Sequence, residues 1–412
     1  MSKRSLNEGK MTVTMKQYML WVGVVAGTAV FLQAQESVTI PVDSAAFVFS
    51  PGTWVGDAGR GGRRFRQTWN PGAYFRVTWE SDTTNTVPTL LLDVSTHDGS
   101  FTPPILACNL DGIWTPDLRC AKEVAVPGMD PRRRNHVLTG YLKTSAQVKR
   151  WGTENASGAN VVRLAGLRVA SGSVPVSNAA RPKWALIVGD SITEGVGANN
   201  LEGYAHLVGQ AFRAMDCEYA VSACGWSGWL HRGDNPPGDV PGYYVVSNSV
   251  NGAGGQYFDA LSRWNKIDAR HSLLDADGRI SAYGAVGQEP SVILVNYATN
   301  DAIHPTNVSD LKASMAQGLK ALRMAAPEAH LFILVPFGQY RAAEIHATID
   351  AYRAEHPQDK KLSIIDLGPD AARALSAKNG YWGGLHPNPR GHATFAAQVI
   401  ARMMTVLVQA GW

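Results

Sequence analysis

The sequence predicts an α/β protein in which an N-terminal, jelly-roll-like β-sandwich precedes a three-layer α/β/α domain with a parallel sheet. Short β-rich runs separated by Gly, Pro, Asn and Asp fill residues 37–180, whereas strand-like and helix-like segments alternate through residues 181–412. That alternation is typical of a parallel sheet covered on both faces. A chain of 412 residues with 45% hydrophobic content is long enough for two such domains.

The first half contains clear strand-like runs, with no long helical pattern between them. These runs are residues 73–79, 89–95, 136–144 and 161–170. Residues 171–182 (SGSVPVSNAARP) then predict a linker. Trp54, Trp69 and Trp79 are expected in the sandwich core rather than on a glycan-binding surface.

The second half predicts buried parallel strands with helices between them. The strands are expected at residues 184–188, 219–223, 291–296, 331–335 and 362–366. One helix is expected at about residues 202–215, with Met215 on its apolar face, and another after Asn307. The last helix is expected from Asn388-Pro389, a cap residue followed by a proline, to about residue 407.

Residues 1–36 predict an export signal. Basic residues up to Lys16 precede an apolar run at residues 18–32 that is short for a membrane span, and Ala34 offers a cleavage point. An uncleaved N-terminal membrane anchor is the alternative. With either a cleaved signal or an anchor, we expect a secreted or periplasmic protein whose body is not embedded in the membrane.

The formal charge of +4 is small for this length, so a nucleic-acid partner is not expected. Arginine clusters at residues 60–66 and 132–134 are expected as solvated loop charge or as contacts to an acidic glycan.

Four cysteines in an exported chain allow two short disulfides, Cys108–Cys120 and Cys217–Cys224, and buried free thiols are the alternative. Neither Cys-x-x-Cys nor His-Glu-x-x-His occurs in the sequence, so no metal or cofactor is expected.

Polar loops follow several predicted strands, at the edge where such sheets bind ligands. They read GDSIT at residues 189–193, CGWSGW at residues 224–229 and ATND at residues 298–301. A serine hydroxyl becomes nucleophilic when a base takes its proton, and acyl transfer needs donors at the developing oxyanion. These loops predict Ser191 as the nucleophile, and its own N–H, the N–H of Gly228 and the side-chain amide of Asn300 as oxyanion-hole donors.

The predicted base is His386, in the sequence GGLHPNPRGH just before the last helix. Ser191 has a simpler alternative role as a helix cap. Ser227 is a rival nucleophile, but it lacks a Gly-x-Ser-x-Gly elbow and is expected only to shape its loop. His392 is expected as a packing or surface residue.

In this order the motifs resemble those of the SGNH hydrolases, also called the GDSL family of esterases and lipases. The first two blocks match at residues 189–193 and 225–228, but the third begins with Ala298 where the family has glycine. The fifth keeps His386-Pro387 and has Gly383 where the family has an aspartate. The resemblance covers about residues 183–412 and implies an α/β/α esterase that forms an acyl-serine.

The missing aspartate predicts a Ser191–His386 dyad. We expect the imidazole to be oriented by a main-chain carbonyl near Trp382 or Gly383, or by an acid from another loop. Asp190 and Asp301 are the nearest acids by motif, although the resemblance gives both positions a supporting role.

The order of the two halves resembles the second carbohydrate esterase family, which implies removal of O-acetyl groups from a carbohydrate. The alternatives are a lipase, an aryl esterase or thioesterase, a carbohydrate acyltransferase, and an inactive glycan-binding module. Trp226, Trp229 and Trp382 fall on the predicted rim of the site, where they contact substrate or pack in the core.

Overall fold

The computed structural model describes most of the chain beyond the predicted export signal. The described residues are 37–58, 64–82, 86–97, 103–144, 161–199, 201–231, 233, 264–268, 271–281, 289–303 and 305–412. The predicted signal at residues 1–36 and two arginines of the first basic cluster, Arg60 and Arg63, lie outside them. Glu36–Trp412 form one compact unit. The division into domains at residue 180 stays a prediction.

The N-terminal part folds into two antiparallel sheets packed as a sandwich, as predicted. The strands are β1 (Ser37–Pro41), β2 (Phe47–Phe49), β3 (Val55–Ala58), β4 (Arg64–Thr68), β5 (Tyr74–Glu80), β6 (Thr89–Leu92), β7 (Ile105–Leu110), β8 (Ile113–Arg119), β9 (Glu123–Ala125), β10 (Asn135–Thr144), β11 (Val162–Ala170) and β12 (Val174–Pro175). The first sheet has the order β3-β4-β11-β6-β9 with β1 beside β11. The second has the order β12-β5-β10-β7-β8 with β2 beside β5.

Strand β5 shows how the sequence builds both faces of the second sheet. Phe75, Val77 and Trp79 point into the sandwich core. The alternate residues Tyr74 and Arg76 lie on the opposite face of the sheet, which the C-terminal half covers. Trp54 and Trp69 are also buried, so the prediction of core tryptophans is confirmed.

The predicted linker is ordered and packed. Val174–Pro175 form β12 against β5, and the N–H of Asn178 donates to the carbonyl of Ala45 at 2.9 Å. Residues 171–182 therefore join the two halves as part of the packed structure, because their backbone and side chains bind both of them.

The C-terminal part contains a parallel sheet whose strands lie close to the predicted positions. The strands are β13 (Lys183–Gly189), β14 (Cys217–Ala223), β15 (Val292–Asn296), β16 (His330–Leu334) and β17 (Leu362–Ile365). Their order is β14-β13-β15-β16-β17, with every neighbouring pair parallel. The predicted fold class is confirmed.

Helices connect the strands, and the three predicted ones are present. The described helices are α1 (Ser191–Glu194), α2 (Tyr204–Ala214), α3 (Thr299–Ile303), α4 (Val308–Ala325), α5 (Ala342–Glu355), α6 (Gly368–Ala374) and α7 (Pro389–Gln409). A hairpin of β18 (Trp382–Gly383) and β19 (His386–Pro387) precedes α7. The Asn388 side chain caps α7 by accepting the N–H of Gly391 at 3.0 Å. Met215 is 41% exposed beyond the end of α2, so its predicted burial is wrong.

The helices cover both faces of the parallel sheet. Trp184, Leu186 and Val188 of β13 lie in one core cluster with α4 and α5, whereas Ala185 and Ile187 lie in a second cluster with α2 and α7. Within the described residues, α7 has the length and apolar composition of a membrane-crossing helix, and its buried side chains pack into the second cluster.

All four cysteines are buried free thiols, so the predicted disulfides are not formed. Cys217 begins β14 and Cys224 follows its end, which places them roughly 23 Å apart along an extended chain. The N–H of Cys120 bonds to the carbonyl of Pro104, about 13 Å along β7 from Cys108. A disulfide requires Cα atoms about 4.4–6.8 Å apart.

A buried carboxylate joins the sandwich to the parallel sheet. Glu218 of β14 has no exposed side-chain surface and accepts a hydrogen bond from the hydroxyl of Tyr74. The guanidinium groups of Arg181 and Arg76 lie 3.1 and 3.5 Å from its other oxygen. The network compensates the buried negative charge with cations from both sides of the joint.

We expect Glu218→Gln to lower the free energy of unfolding by about 3 kcal/mol, because it leaves the buried Arg76 without a counter-charge. Asp216→Asn is the matched control. Asp216 binds the same Arg181 at 3.0 Å, but its side chain is 77% exposed, and its loss should cost less than about 1 kcal/mol. Denaturant unfolding measures both changes. Equal losses would show that the buried network does not hold the joint.

Candidate active site

Ser191 lies at the carboxyl end of β13, on a tight turn into α1. Asp190 caps the helix, because its side chain accepts the N–H of Ile192 at 2.9 Å. A Cβ on Gly189 would lie 2.0 Å from the Thr193 hydroxyl oxygen and 2.7 Å from the carbonyl oxygen of Asn296. The turn therefore requires glycine at position 189.

The structure brings His386 to the serine. Its Nε2 lies 2.8 Å from the Oγ of Ser191, across 195 positions of the sequence. The chain after α1 packs closely against the β18–β19 hairpin at Gly197. A Cβ at this position would lie 2.2 Å from the carbonyl oxygen of Pro387. Gly197 also has a φ of 93°, which favours glycine. This close passage places the hairpin against the nucleophile helix.

The other ring nitrogen of His386 has no hydrogen-bond acceptor among the described residues. Gly383 pairs with His386 in the hairpin, yet neither its carbonyl nor that of Trp382 accepts a hydrogen bond from Nδ1. The predicted orienting group is thus absent from the described part of the chain. Burial lowers the pKa of His386 below its ordinary value.

Asp190 and Asp301 support the backbone and do not contact His386. Burial raises the pKa of Asp190 to about 7, although the N–H of Ile192 opposes the shift. Burial also raises the pKa of Asp301, against hydrogen bonds from three backbone N–H groups. Those groups belong to Trp229, Leu230 and His231, at 2.7–2.8 Å. Asp301 therefore anchors the loop over residues 225–231.

This 225–231 loop is also tied to the nucleophile helix. Glu194, three residues after Ser191, accepts the N–H of Gly225 at 2.9 Å. A Cβ on Gly228 would lie 2.2 Å from the carbonyl oxygen of His231 and 2.8 Å from the Asp301 carboxylate. Sequence reasoning missed Glu194, whose spacing of one helical turn from Ser191 was the available signal.

The predicted oxyanion donors have free hydrogen-bonding capacity. Asn300 donates one amide hydrogen to the carbonyl of Ser227 at 2.7 Å, and its second amide hydrogen remains. In the described part of the structure, the N–H groups of Ser191 and Gly228 bind no acceptor. Their convergence on one oxyanion stays a prediction.

The three rim tryptophans differ in exposure. Trp229 is fully buried, with its ring 5.5 Å from that of Tyr297, so it has the second of its two predicted roles, packing in the core. Its backbone N–H donates to Asp301 at 2.8 Å, and its ring lies in the core cluster with Tyr297. Trp382 is half-buried and donates its indole N–H to the carbonyl of Leu375 at 2.6 Å. Trp226 is half-buried, and substrate contact by it and by Trp382 stays a prediction.

His392 is a packing residue, one of its two predicted roles. It is fully buried, and its ring nitrogens bond to the N–H of Tyr204 and the carbonyl of Val196, both at 3.1 Å. Burial lowers its pKa to about 4. Ser227 is also buried, and within the described residues its hydroxyl has no hydrogen-bond partner.

Ala298 occupies a conformation that favours glycine. Its φ is 106°, and its side chain is fully buried in the core cluster under α4. The family motif has glycine at this position, so the substitution adds a buried methyl group and strains the backbone just before Asn300.

We expect Ala298→Gly to be at least about 1 kcal/mol less destabilising than Ala220→Gly. Both changes remove a buried methyl group, but only the first relieves the strain of a positive φ. Ala220 lies in the middle of β14 and is 1% exposed. Urea unfolding of the two variants measures the difference, and equal losses would show that position 298 is unstrained.

The fold and the turn after β13 are those of an α/β/α ester hydrolase. The family model for the GDSL-like lipase/acylhydrolase family matches residues 187–394, which is half of the chain. The chain therefore belongs to this family of carboxylic ester hydrolases. No curated protein sequence matches it.

Solved structures share both halves of the fold. A family two carbohydrate esterase from Clostridium thermocellum is 13% identical, with 88% of this chain and 98% of that chain covered and a TM-score of 0.60. An acetyl xylan esterase from Butyrivibrio proteoclasticus is 14% identical, with 90% and 99% covered and a TM-score of 0.61. A salicylyl-acyltransferase from a tetracycline biosynthetic pathway is 14% identical, with 90% and 98% covered and a TM-score of 0.55. The resemblance to the second carbohydrate esterase family is confirmed as a shared fold.

Proposed function

We propose that this chain is an exported esterase that removes O-acetyl groups from a carbohydrate through an acyl-serine intermediate. The observation that carries the proposal is the 2.8 Å contact between the Oγ of Ser191 and the Nε2 of His386. The carbohydrate substrate is supported by the two-part fold shared with carbohydrate esterases, because both halves are covered in that comparison.

In the first half-reaction, the Oγ of Ser191 attacks the acetyl carbonyl carbon while His386 Nε2 takes the hydroxyl proton. The carbonyl oxygen becomes an oxyanion, to which Gly228, Asn300 and the N–H of Ser191 donate hydrogen bonds. The sugar oxygen leaves with the proton from the imidazolium. The product is an acetyl-serine and a free sugar hydroxyl.

In the second half-reaction, neutral His386 takes a proton from water as the water oxygen attacks the acetyl-serine. The same donors bind the second oxyanion, and the proton returns to the Oγ of Ser191 as acetate leaves. Asp301 and Glu194 hold the 225–231 loop throughout, so its N–H groups need no rearrangement between the two steps.

We expect Ser191→Ala to lower acetate release from acetylated xylan and from a chromogenic acetyl ester by roughly 10³-fold or more. Ser227→Ala is the matched control. Its hydroxyl has no partner in the described structure, so its loss should leave the rate within about threefold of the parent. A fluorophosphonate probe should label the peptide that contains Ser191. Labelling of Ser227, or full activity in Ser191→Ala, would refute the assignment.

The acid limb of kcat/KM should have its midpoint below pH 6.5. The reaction needs neutral His386, and burial lowers the pKa of this imidazole, so protonation removes the base only at lower pH. A chromogenic acetyl ester measures the profile, with circular dichroism at each pH as the control for folding. A midpoint above pH 6.5 would reveal a carboxylate bound to Nδ1, because a negative neighbour raises the pKa.

Acyl transfer to a sugar hydroxyl is the second candidate, since an acyltransferase shares the fold at a TM-score of 0.55. The acetyl-serine is common to both reactions, and only the acceptor differs. Product analysis with an unacetylated oligosaccharide present separates them. Acetate as the main product supports hydrolysis, and an acetylated oligosaccharide supports transfer.

A further inference from the structure

The edge of the sandwich carries an exposed tryptophan that the catalytic steps do not use. Trp114 lies on the edge strand β8 and is 47% exposed, and the adjacent Ile113 is 50% exposed. The ring of Trp114 packs against Tyr141, with centroids 5.7 Å apart. Its indole N–H has no acceptor among the described residues, so the ring offers both a flat surface and a hydrogen-bond donor.

The strand register places this side chain on the face of β8 opposite the core. Thr115 pairs with Cys108, Leu118 pairs with Leu106, and the register shifts between the two pairs. Cys108 and Leu106 lie in the sandwich core, and Leu118 packs against it. Trp114 pairs with Asn109 and precedes Thr115 along the strand, so it faces outward.

Polar side chains lie on the same outward face of β7, β8 and β10, because they alternate with core residues along these strands. Asp117 accepts a hydrogen bond from Lys143 at 2.7 Å, and Asp117 is 61% exposed. Asn109 is the cross-strand partner of Trp114. A flat aromatic ring on the same face as a carboxylate, an ammonium group and an amide matches the two surfaces of a sugar, which are apolar C–H faces and hydroxyl groups at the ring edge.

The C-terminal half covers part of this outward face of the sandwich, and Trp114 lies next to the edge of the covered part. Helix α2 contacts Tyr141, whose hydroxyl binds Arg213 and whose ring lies 5.5 Å from that of His206. Tyr141 is only 5% exposed, whereas Trp114 beyond it remains open.

We propose that Trp114 is the platform of a second glycan-binding site, in which a sugar ring stacks on the indole while Asp117, Lys143 and Asn109 bind its hydroxyls. This inference rests on the proposed carbohydrate substrate. A polymer held there would keep further acetyl groups near the enzyme between turnovers, because binding at one site raises the local concentration at the other.

A protein partner fits this surface poorly. Half-exposed Trp114 offers roughly 100 Å² on this face, far below the ~800 Å² per partner of a stable interface. Pro116 lies in the middle of β8 and has no N–H, which blocks pairing with another strand. The area suits one or two sugar rings.

Affinity electrophoresis tests the site with acetylated xylan, glucomannan and hydroxyethylcellulose as immobilised polymers. The parent is Ser191→Ala, so that the polymers are not modified during the run. We expect Trp114→Ala to weaken binding to at least one polymer by about fivefold or more, which is ~1 kcal/mol. Trp114→Phe should keep most of the affinity. Met324→Ala, which removes an apolar side chain that is 72% exposed on α4, should change nothing.

Two measurements separate this site from the active site and from folding. Trp114→Ala with Ser191 intact should keep the parental kcat/KM on a chromogenic acetyl ester. Asp117→Ala removes a polar contact without touching the core, and it should weaken binding to the same polymer. It therefore replaces Trp114→Ala as the test if Trp114→Ala unfolds. Equal mobility of parent, Trp114→Ala and Asp117→Ala on all three polymers would overturn the proposal. Absence of ester hydrolysis by the intact chain would instead overturn the proposed function.

Discussion

Close backbone approach at the carboxyl edge of the parallel sheet is the constraint on which the active site depends. At Gly189, Gly197 and Gly228, an added Cβ would lie 2.0–2.2 Å from another atom. No side chain fits such spaces. The first glycine permits the turn that exposes Ser191, the second lets the His386 hairpin reach that serine, and the third lets the 225–231 loop pack on Asp301. The positions of the Ser191 hydroxyl, the His386 imidazole and the predicted oxyanion donors therefore depend on backbone packing before any side-chain chemistry begins.

The buried carboxyl groups at this edge of the sheet bind backbone N–H groups and do not contact His386. Asp190 caps the nucleophile helix, and Asp301 and Glu194 hold the 225–231 loop at both of its ends. A hydrogen bond from a backbone N–H favours the charged carboxylate, while burial favours the neutral acid. These carboxyl oxygens thus serve to fix backbone N–H groups in place. His386 lacks a carboxylate partner among the described residues, so its basicity is set by burial.

The sequence predicts the fold more accurately than it predicts the surroundings of individual side chains. Long apolar runs and an Asn-Pro helix start gave the parallel strands and α7 within a few residues, because burial on both faces leaves a pattern along the chain. Ser191 and His386 were found from short motifs and do meet. The strand at 219–223 already argued against a Cys217–Cys224 disulfide, since an extended strand separates its ends. The orienting group of His386 and the burial of Trp229 depend on loop conformation, which periodicity does not reveal.

Trp229 and Trp114 show why a tryptophan near a site cannot be assigned from its position in the sequence. Trp229 follows Gly228, the predicted oxyanion glycine, yet its backbone N–H binds Asp301 and its ring lies in the core. Trp114 lies in the other half of the chain, on the face of the edge strand β8 opposite the sandwich core, and is 47% exposed. The joint between the halves is packed through Glu218 and the ordered 171–182 segment, so Trp114 and Ser191 keep a set separation. A glycan bound at the proposed site would therefore be held at a fixed distance from the serine, which a flexible tether would not provide.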